Sequence, residues 1–212
     1  MKIAIFGATG SVGSECVRLL LKDGHEISVL VRNQQKLHPE FEGKIHVVTG
    51  DALKYADVDE TILPGTDAVL FAIGVDKNSP ENLCTDVTRH VLEIMRQKKV
   101  GRLVWCGGGS TLVPEDKIGF GAKFVKFYAE KFLSLRHFDK ENQYELLTHN
   151  RDVTWLGVRP LQMKAGKHTG QYRLGFDSFN GLSTISFSDC ADAMVGMLED
   201  DTWIGKAPIV QY

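Results

Sequence analysis

Ile3-Ala4-Ile5-Phe6 runs straight into Gly7-Ala8-Thr9-Gly10-Ser11-Val12-Gly13, and behind it Val12, Cys16, Leu19 and Leu20 repeat at helical spacing. These periodicities predict a buried strand that turns on glycine and feeds a helix. Gly7 supplies dihedrals that a side chain forbids in a tight turn. Gly10 leaves no Cβ between the main chain and an anion, and Gly13 lets the helix sit close on the strand. The free N–H groups of the first helical turn and the helix dipole then favour a phosphate, to which Thr9 and Ser11 add hydroxyls. The spacing is G-x-x-G-x-x-G, not G-x-G-x-x-G, so the flanking strand and helix carry the inference. No G-x-x-x-x-G-K-[ST] run is present, which argues against nucleoside triphosphate hydrolysis.

The same alternation continues. A helix over 11–22 stops at Asp23-Gly24, and a strand over 26–31 ends at Arg32 with no carboxylate beside it. At that place an acidic side chain accepts from the ribose hydroxyl of NAD, whereas a guanidinium meets the extra phosphate of NADP, so Arg32 points to NADP(H). A third strand over 45–49 precedes Asp51, which is placed either to accept from an adenine amino group or to cap the short helix expected over 58–63. A strand over 68–73, apolar on both faces, leads to Ala72, Ile73 and Gly74, which are small or apolar enough to let a ribose pass. After a helix over 82–98 and a strand over 102–106 comes Gly107-Gly108-Gly109-Ser110, a loop open to close approach by substrate.

Residues 111–138 carry Phe120, Phe124, Phe127, Tyr128, Phe132, Leu135 and Phe138 at three-to-four spacing, with Lys123, Lys126 and Lys131 between them. This predicts an amphipathic helix after a mobile connection over 112–121, serving as core, as an aromatic lid with Phe120 and Phe124 over a planar substrate, or as a subunit contact. A helix over 140–148 and a sixth strand over 153–158 follow, ending at Arg159-Pro160-Leu161. Residues 163–180 read as loop and hairpin closing a pocket, Ser188-Asp189 as the start of a helix over 191–198, and 207–210 as a last edge strand. The order implies one Rossmann-like, doubly wound parallel α/β domain over 1–212, with small C-terminal substrate-side insertions and with 111–138 and 162–184 covering the pocket.

The 212-residue chain is 43% hydrophobic with a formal net charge of -2, and its cations are dispersed, which excludes polyanion binding as the main role. Cys16, Cys84, Cys106 and Cys190 form no C-x-x-C pair and read as buried free thiols. No secretory h-region or membrane span precedes or interrupts the pattern, so a cytoplasmic place and no membrane partner are expected. His25, His38, His46, His90, His137, His149 and His168 show no metal-ligand spacing and are assigned to loops or surface. No metal is expected.

These residues resemble the atypical short-chain dehydrogenase/reductase superfamily, in its NAD(P)H-binding branch that includes the flavin reductases, also called biliverdin-IXβ reductases. The likeness rests on 2–13, on Val29-Leu30-Val31-Arg32, Gly50-Asp51, Asp67-Ala68-Val69, Arg159-Pro160, Ile185-Ser186-Phe187-Ser188-Asp189 and the terminal Gln211-Tyr212. The resemblance implies that Gly7, Thr9, Gly10, Ser11 and Val12 hold the diphosphate of NADPH and Arg32 its 2′-phosphate. Asp51 and Ala52 would border adenine, Ala72, Ile73 and Gly74 the ribose, and Cys106, Gly107, Pro160 and Leu161 the nicotinamide. It implies reduction of a flavin or a linear tetrapyrrole, while the open glycine loop and the aromatic segment suit any planar conjugated acceptor, such as a flavin or a quinone.

The chain departs from that pattern. Gly107-Gly108 replace a Thr-Ser pair, Leu161 replaces a histidine, and Tyr128 and Lys131 stand three apart where the superfamily has Y-x-x-x-K. No catalytic residue is assigned, and Ser110 with Gly108 and Gly109 is the candidate substrate contact. The departures leave a second function open, a non-catalytic NADP(H) sensor or regulatory protein, and they leave monomer and homodimer unresolved.

Overall fold

The computed structural model describes residues 1–177 and 183–212. Strand β1 (Lys2–Phe6) sends Ile3 and Ile5 to one core and Ala4 and Phe6 to the other, as the two-residue period of a strand requires. Strands β2 (Glu26–Val31), β3 (His46–Thr49), β4 (Ala68–Phe71), β5 (Arg102–Cys106) and β6 (Thr154–Pro160) pair in parallel in the order β3-β2-β1-β4-β5-β6. Helices α1 (Ser11–Lys22) and α6 (Phe187–Gly196) cover the first core. On the other side lie α2 (Tyr55–Thr61), α3 (Leu83–Lys98) and α5 (Ser134–His149). The sheet is doubly wound, as expected. Its order reverses at β1, so a crevice opens at the carboxyl ends of β1 and β4, beside the glycine turn.

Several expectations fail for local physical reasons. The segment 207–210 is no edge: β10 (Ile209–Gln211) lies between β6, parallel, and β8 (Arg173–Gly175), antiparallel. Pro208 precedes the paired residues and so removes no ladder donor. The expected hairpin over 163–180 is absent among the described residues, since β7 (Gln162–Lys164) pairs in parallel with β9 (Thr184–Ser186) and β8 with β10. The part of that expectation at 178–182 lies outside the described residues. The cap of α6 is Ser186, whose hydroxyl accepts from the Asp189 N–H at 2.9 Å, one turn before the start inferred from sequence.

The aromatic stretch divides at Leu133 into α4 (Phe120–Phe132) and α5, with Phe138 in the latter. Helix α4 turns its apolar side outward: Ala122 and Ala129 are buried, while Phe120 is 87% and Phe124 60% exposed. Nor is the connection before it loose. Arg159 and Asp116, both buried, pair at 2.9 and 2.6 Å, Arg159 also donates to Ala207 O at 2.5 Å and to Thr111 O, and Asp116 accepts from Val113 N–H at 2.9 Å. A buried guanidinium needs such pairing, and here the bonds to Thr111 and Asp116 pin 111–117 to the end of β6. Helix α3, whose Asn82 cap offers no side-chain bond, borrows the Asp139 carboxylate of α5, which accepts from Cys84 and Thr85 N–H at 2.8 and 2.9 Å. This bond fixes α5 against the crevice. Among the described residues no helix is long and apolar enough to cross a membrane, and all four cysteines are buried free thiols.

Candidate active site

The turn after β1 is shaped by its glycines. Gly7 has φ +98°, and a Cβ there would lie 2.6 Å from the Ala72 carbonyl carbon, so close approach of β1 to β4 demands its absence. A Cβ on Gly13 would stand 2.1 Å from Gly7 O. Helix α1 therefore starts in contact with the turn. Its Gly10 cap brings no side-chain bond and its first turn holds no acidic residue, which leaves the positive end of the helix to a ligand. Gly10, Ser11 and Val12 line a cleft of about 700 Å³, a size suited to a small-molecule site. These features fit a diphosphate. Gly7 and Gly13 form the turn without lining the cleft, and Thr9 is exposed outside it.

Ala72, Ile73 and Gly74 after β4, Cys106, Gly107, Gly108, Gly109 and Ser110 after β5, and Pro160 and Leu161 at β6 all line this cleft. Phe124 joins them from α4, whereas Phe120 points away into solvent. The glycine loop is less open than its composition suggests. A Cβ at Gly107 would meet the Trp105 ring at 2.5 Å and one at Gly109 the Leu161 Cα at 2.6 Å, so two of the three spaces are filled by the protein itself. Only Gly108 has an ordinary neighbour, Lys140 at 3.6 Å.

The adenine-side candidates lie outside the cleft. Arg32 is exposed at the end of β2 and close to Asp76, whose carboxyl is held below its usual range by hydrogen bonds from Asn78 and Ser79 and, more weakly, by this guanidinium. Asp51 serves a turn: its Oδ1 accepts from Leu53 N–H at 3.0 Å, and its own N–H donates to Asp57 Oδ2 at 2.7 Å. Ala52 packs half-buried against the second core.

Further cleft residues were not foreseen, two of them on α5, a helix expected to begin only at 140. Tyr128 of α4 and Leu133, Arg136 and Lys140 line the far wall. Lys140 is buried, and its ammonium donates to Ile73 O and Cys106 O at 3.1 Å and to Gln143 Oε1 at 3.0 Å. An ammonium has three protons, so all are engaged. Arg136 Nε donates to Val75 O at 3.0 Å at the rim. Four residues apart on one helix, Arg136 and Lys140 face the same side, a spacing legible in sequence once α5 is known to start at Ser134. Tyr128 and Lys131 are not joined: the tyrosine ring packs on Phe132, and the lysine lies 5.9 and 5.6 Å over Phe127 and Phe132, outside the cleft.

Behind Ser110 stands His137, placed on the surface by the sequence reading but with a fully enclosed side chain. Its Nδ1 lies 3.1 Å from Ser110 Oγ and its Nε2 3.4 Å from Glu141 Oε2. Burial lowers its pKa, with Lys126 acting in the same sense and Glu141 and Glu130 opposing.

Residues 7–201 match the sequence profile of the NAD(P)H-binding family. The chain is 28% identical over 205 residues to the uncharacterized protein YwnB of Bacillus subtilis, covering 94% of this chain and 92% of that one. A crystal structure from Bacteroides thetaiotaomicron whose protein carries a provisional epimerase assignment is 26% identical, covers 100% of this chain and 96% of its own, and superposes with a TM-score of 0.81. The oxidoreductase ylbE of Lactococcus lactis shares the fold at 20% identity and TM-score 0.77, over 100% of this chain and 90% of that one.

Proposed function

The chain belongs to the NAD(P)H-binding family, and from that premise we propose that it is an NADPH-dependent reductase passing a hydride to a planar conjugated acceptor such as a flavin, a quinone or a linear tetrapyrrole. One observation carries this reading. The cleft runs from the uncapped start of α1 past the ends of β4, β5 and β6 to an apolar wall containing Phe124, Tyr128 and Leu133. When bound, the reduced nicotinamide supplies the hydride. The protein's part is to hold donor and acceptor at roughly 3–3.5 Å in a dry, oriented stack.

In this assignment main-chain N–H groups of Ser11 and Val12 hold the diphosphate beside Thr9, in the turn formed by Gly7 and Gly13, while Gly10, whose own N–H donates to Gly7 O at 2.9 Å, leaves the space open to phosphate. Arg32 binds the 2′-phosphate and selects NADPH, while Asp51 and Ala52 border adenine. Ala72, Ile73 and Gly74 receive the ribose, and Cys106, Gly107, Pro160 and Leu161 flank the nicotinamide. Gly108, Gly109, Ser110 and Phe124 meet the acceptor. Residues 1–212 form one dinucleotide-binding unit, with 111–138 and 162–184 as its covering segments; Gln162 and Met163 of the second already reach the cleft.

An epimerase working through a transient ketone would need a phenol and lysine to move the alkoxide proton, and the separation of Tyr128 from Lys131 disfavours it. The full engagement of the Lys140 ammonium favours a second reading, an NADP(H) sensor without turnover. Oxidation of NADPH by FMN, a quinone and a linear tetrapyrrole, followed as loss of cofactor absorbance, separates the two. Turnover of any acceptor supports the reductase, and tight NADPH binding with none across the panel supports the sensor.

A further inference from the structure

We propose that Ser110, His137 and Glu141 form a proton path that delivers the proton accompanying hydride transfer, with Ser110 as the group touching the acceptor; the inference rests on the reductase reading. Ser110 lines the cleft at the end of β5, and its hydroxyl lies 3.1 Å from His137 Nδ1. The opposite ring nitrogen, Nε2, is buried and has no hydrogen-bond partner among the described residues. It faces Glu141 Oε2 at 3.4 Å and Glu130 Oε1 at 4.0 Å, carboxylates whose side chains are 27% and 40% exposed. Histidine and glutamate stand four apart on α5 and so stack along one face. The imidazole thus bridges a cleft-side hydroxyl and carboxylates in reach of water.

Buried polar nitrogens are usually hydrogen-bonded. This one has a nitrogen aimed at an acid from which it is a few tenths of an ångström beyond hydrogen-bond length. A serine, histidine and carboxylate in line also raise acyl transfer, but that chemistry needs free main-chain donors for an oxyanion. Gly107 and Gly109 N–H instead donate to Val158 O and Pro160 O at 2.8 and 3.0 Å. With those two donors taken, proton delivery is the chemistry proposed.

The step balances. Two electrons and a hydrogen nucleus reach the acceptor as hydride, leaving an anionic nitrogen or oxygen. The Ser110 O–H bond breaks as the acceptor–H bond forms, the Nδ1–H of His137 restores the hydroxyl, and Nε2 takes a proton from water at the Glu141 carboxylate. The ring passes from one neutral tautomer to the other. Burial keeps the imidazole in the neutral form that has one N–H to give and one lone pair to receive, with Lys126 reinforcing and Glu130 and Glu141 opposing. Lys126 also holds Glu141 Oε1 at 2.8 Å, which leaves Oε2 turned to the ring.

The test has two readouts. In protein without cofactor, ring-nitrogen NMR of His137 should show the Nδ1–H neutral tautomer, and Ser110→Ala and Glu141→Gln should each shift its resonances and midpoint; unchanged spectra in both variants overturn the path. In turnover, Ser110→Ala and His137→Gln should lower kcat by about 10²-fold, the lower end for a positioned acid, with NADPH affinity retained. The solvent deuterium effect on kcat should be at least as large in His137→Gln as in wild type, because proton delivery then limits the rate. Wild-type turnover with both variants equally fast overturns the path and leaves the reductase standing. No wild-type turnover with any acceptor overturns the reductase reading itself, and the path's role with it. Melting temperatures near wild type show that the variants are folded, and Ser110→Ala, which removes one cleft-side oxygen, decides if His137→Gln is not.

Discussion

Replacing Gly13 by alanine tests the cradle most sharply. The added Cβ would lie 2.1 Å from Gly7 O and 2.7 Å from Gly7 C, where ordinary contact begins near 3.4 Å. The obstacle is main chain and cannot rotate aside, so the start of α1 must move away from the turn by about an ångström. Overpacking of this kind costs about 1–3 kcal/mol, and the upper end suits a backbone clash. Helix propensity returns about 1 kcal/mol, because alanine replaces glycine in a first helical turn. The net loss is about 2 kcal/mol, or about 4–8 °C in melting temperature for a chain of this size. Gly196 is the control: it ends α6, and a Cβ there meets nothing within 4 Å. Gly196→Ala should leave stability unchanged or raise it by up to about 1 kcal/mol. Calorimetric melting of both variants, with NADPH titration of each, reads the result. If Gly13→Ala melts at or above wild type, or binds NADPH as wild type does, the close packing of turn and helix is not what builds the site.

Arg32→Ala should weaken NADPH by about 10- to 100-fold, the worth of a lost charged hydrogen bond, and leave NADH little changed; equal losses in titrations of both cofactors would remove Arg32 from the phosphate. Asp189 gives a pH dependence. Burial raises its carboxyl pKa, but hydrogen bonds from Tyr212, from Thr169 and from Gly170 outweigh that and hold it well below the usual range. Because the folded value is depressed, the stability it gives is complete above the unfolded value of about 3.9 and is lost as pH falls below that. Asp189→Asn should therefore melt well below wild type at neutral pH, with the gap beginning to narrow as pH falls below about 4; a gap constant with pH refutes the linkage.

What sequence revealed and concealed follows from how local each signal is. The strand, turn and helix over residues 2–22 were legible because glycine spacing, apolar period and the Asp23-Gly24 stop all act within a few residues. The five other parallel strands, β2 to β6, read equally well from their apolar runs. Strand β10 did not, since pairing on both sides depends on β8, a distant segment of weak apolar pattern. The aromatic repeat gave the helix but left its role open: Ala122 and Ala129 rather than the phenylalanines are buried, so the stripe is not core, and Phe124 lines the cleft. The Asp116–Arg159 pair, 43 residues apart, tied down a connection whose composition suggested mobility. In the site, residues at strand ends were found and those on α5 were missed. Arg136, His137 and Lys140 carry ordinary surface chemistry in sequence, and only the start of that helix at Ser134 turns Arg136 and Lys140 toward the cleft and His137 toward Ser110.

The account stands on a dinucleotide diphosphate held by the start of α1. Calorimetric titration of NADPH into wild type and into Gly10→Val measures this directly, because a Cβ at Gly10 meets only Gly7 O at 3.3 Å and the larger side chain would fill the space left for phosphate. Saturable binding of one NADPH per chain, lost in the variant while its melting temperature without cofactor stays near wild type, is the predicted outcome. No heat of binding with wild type, or equal affinity in the two proteins, would contradict it.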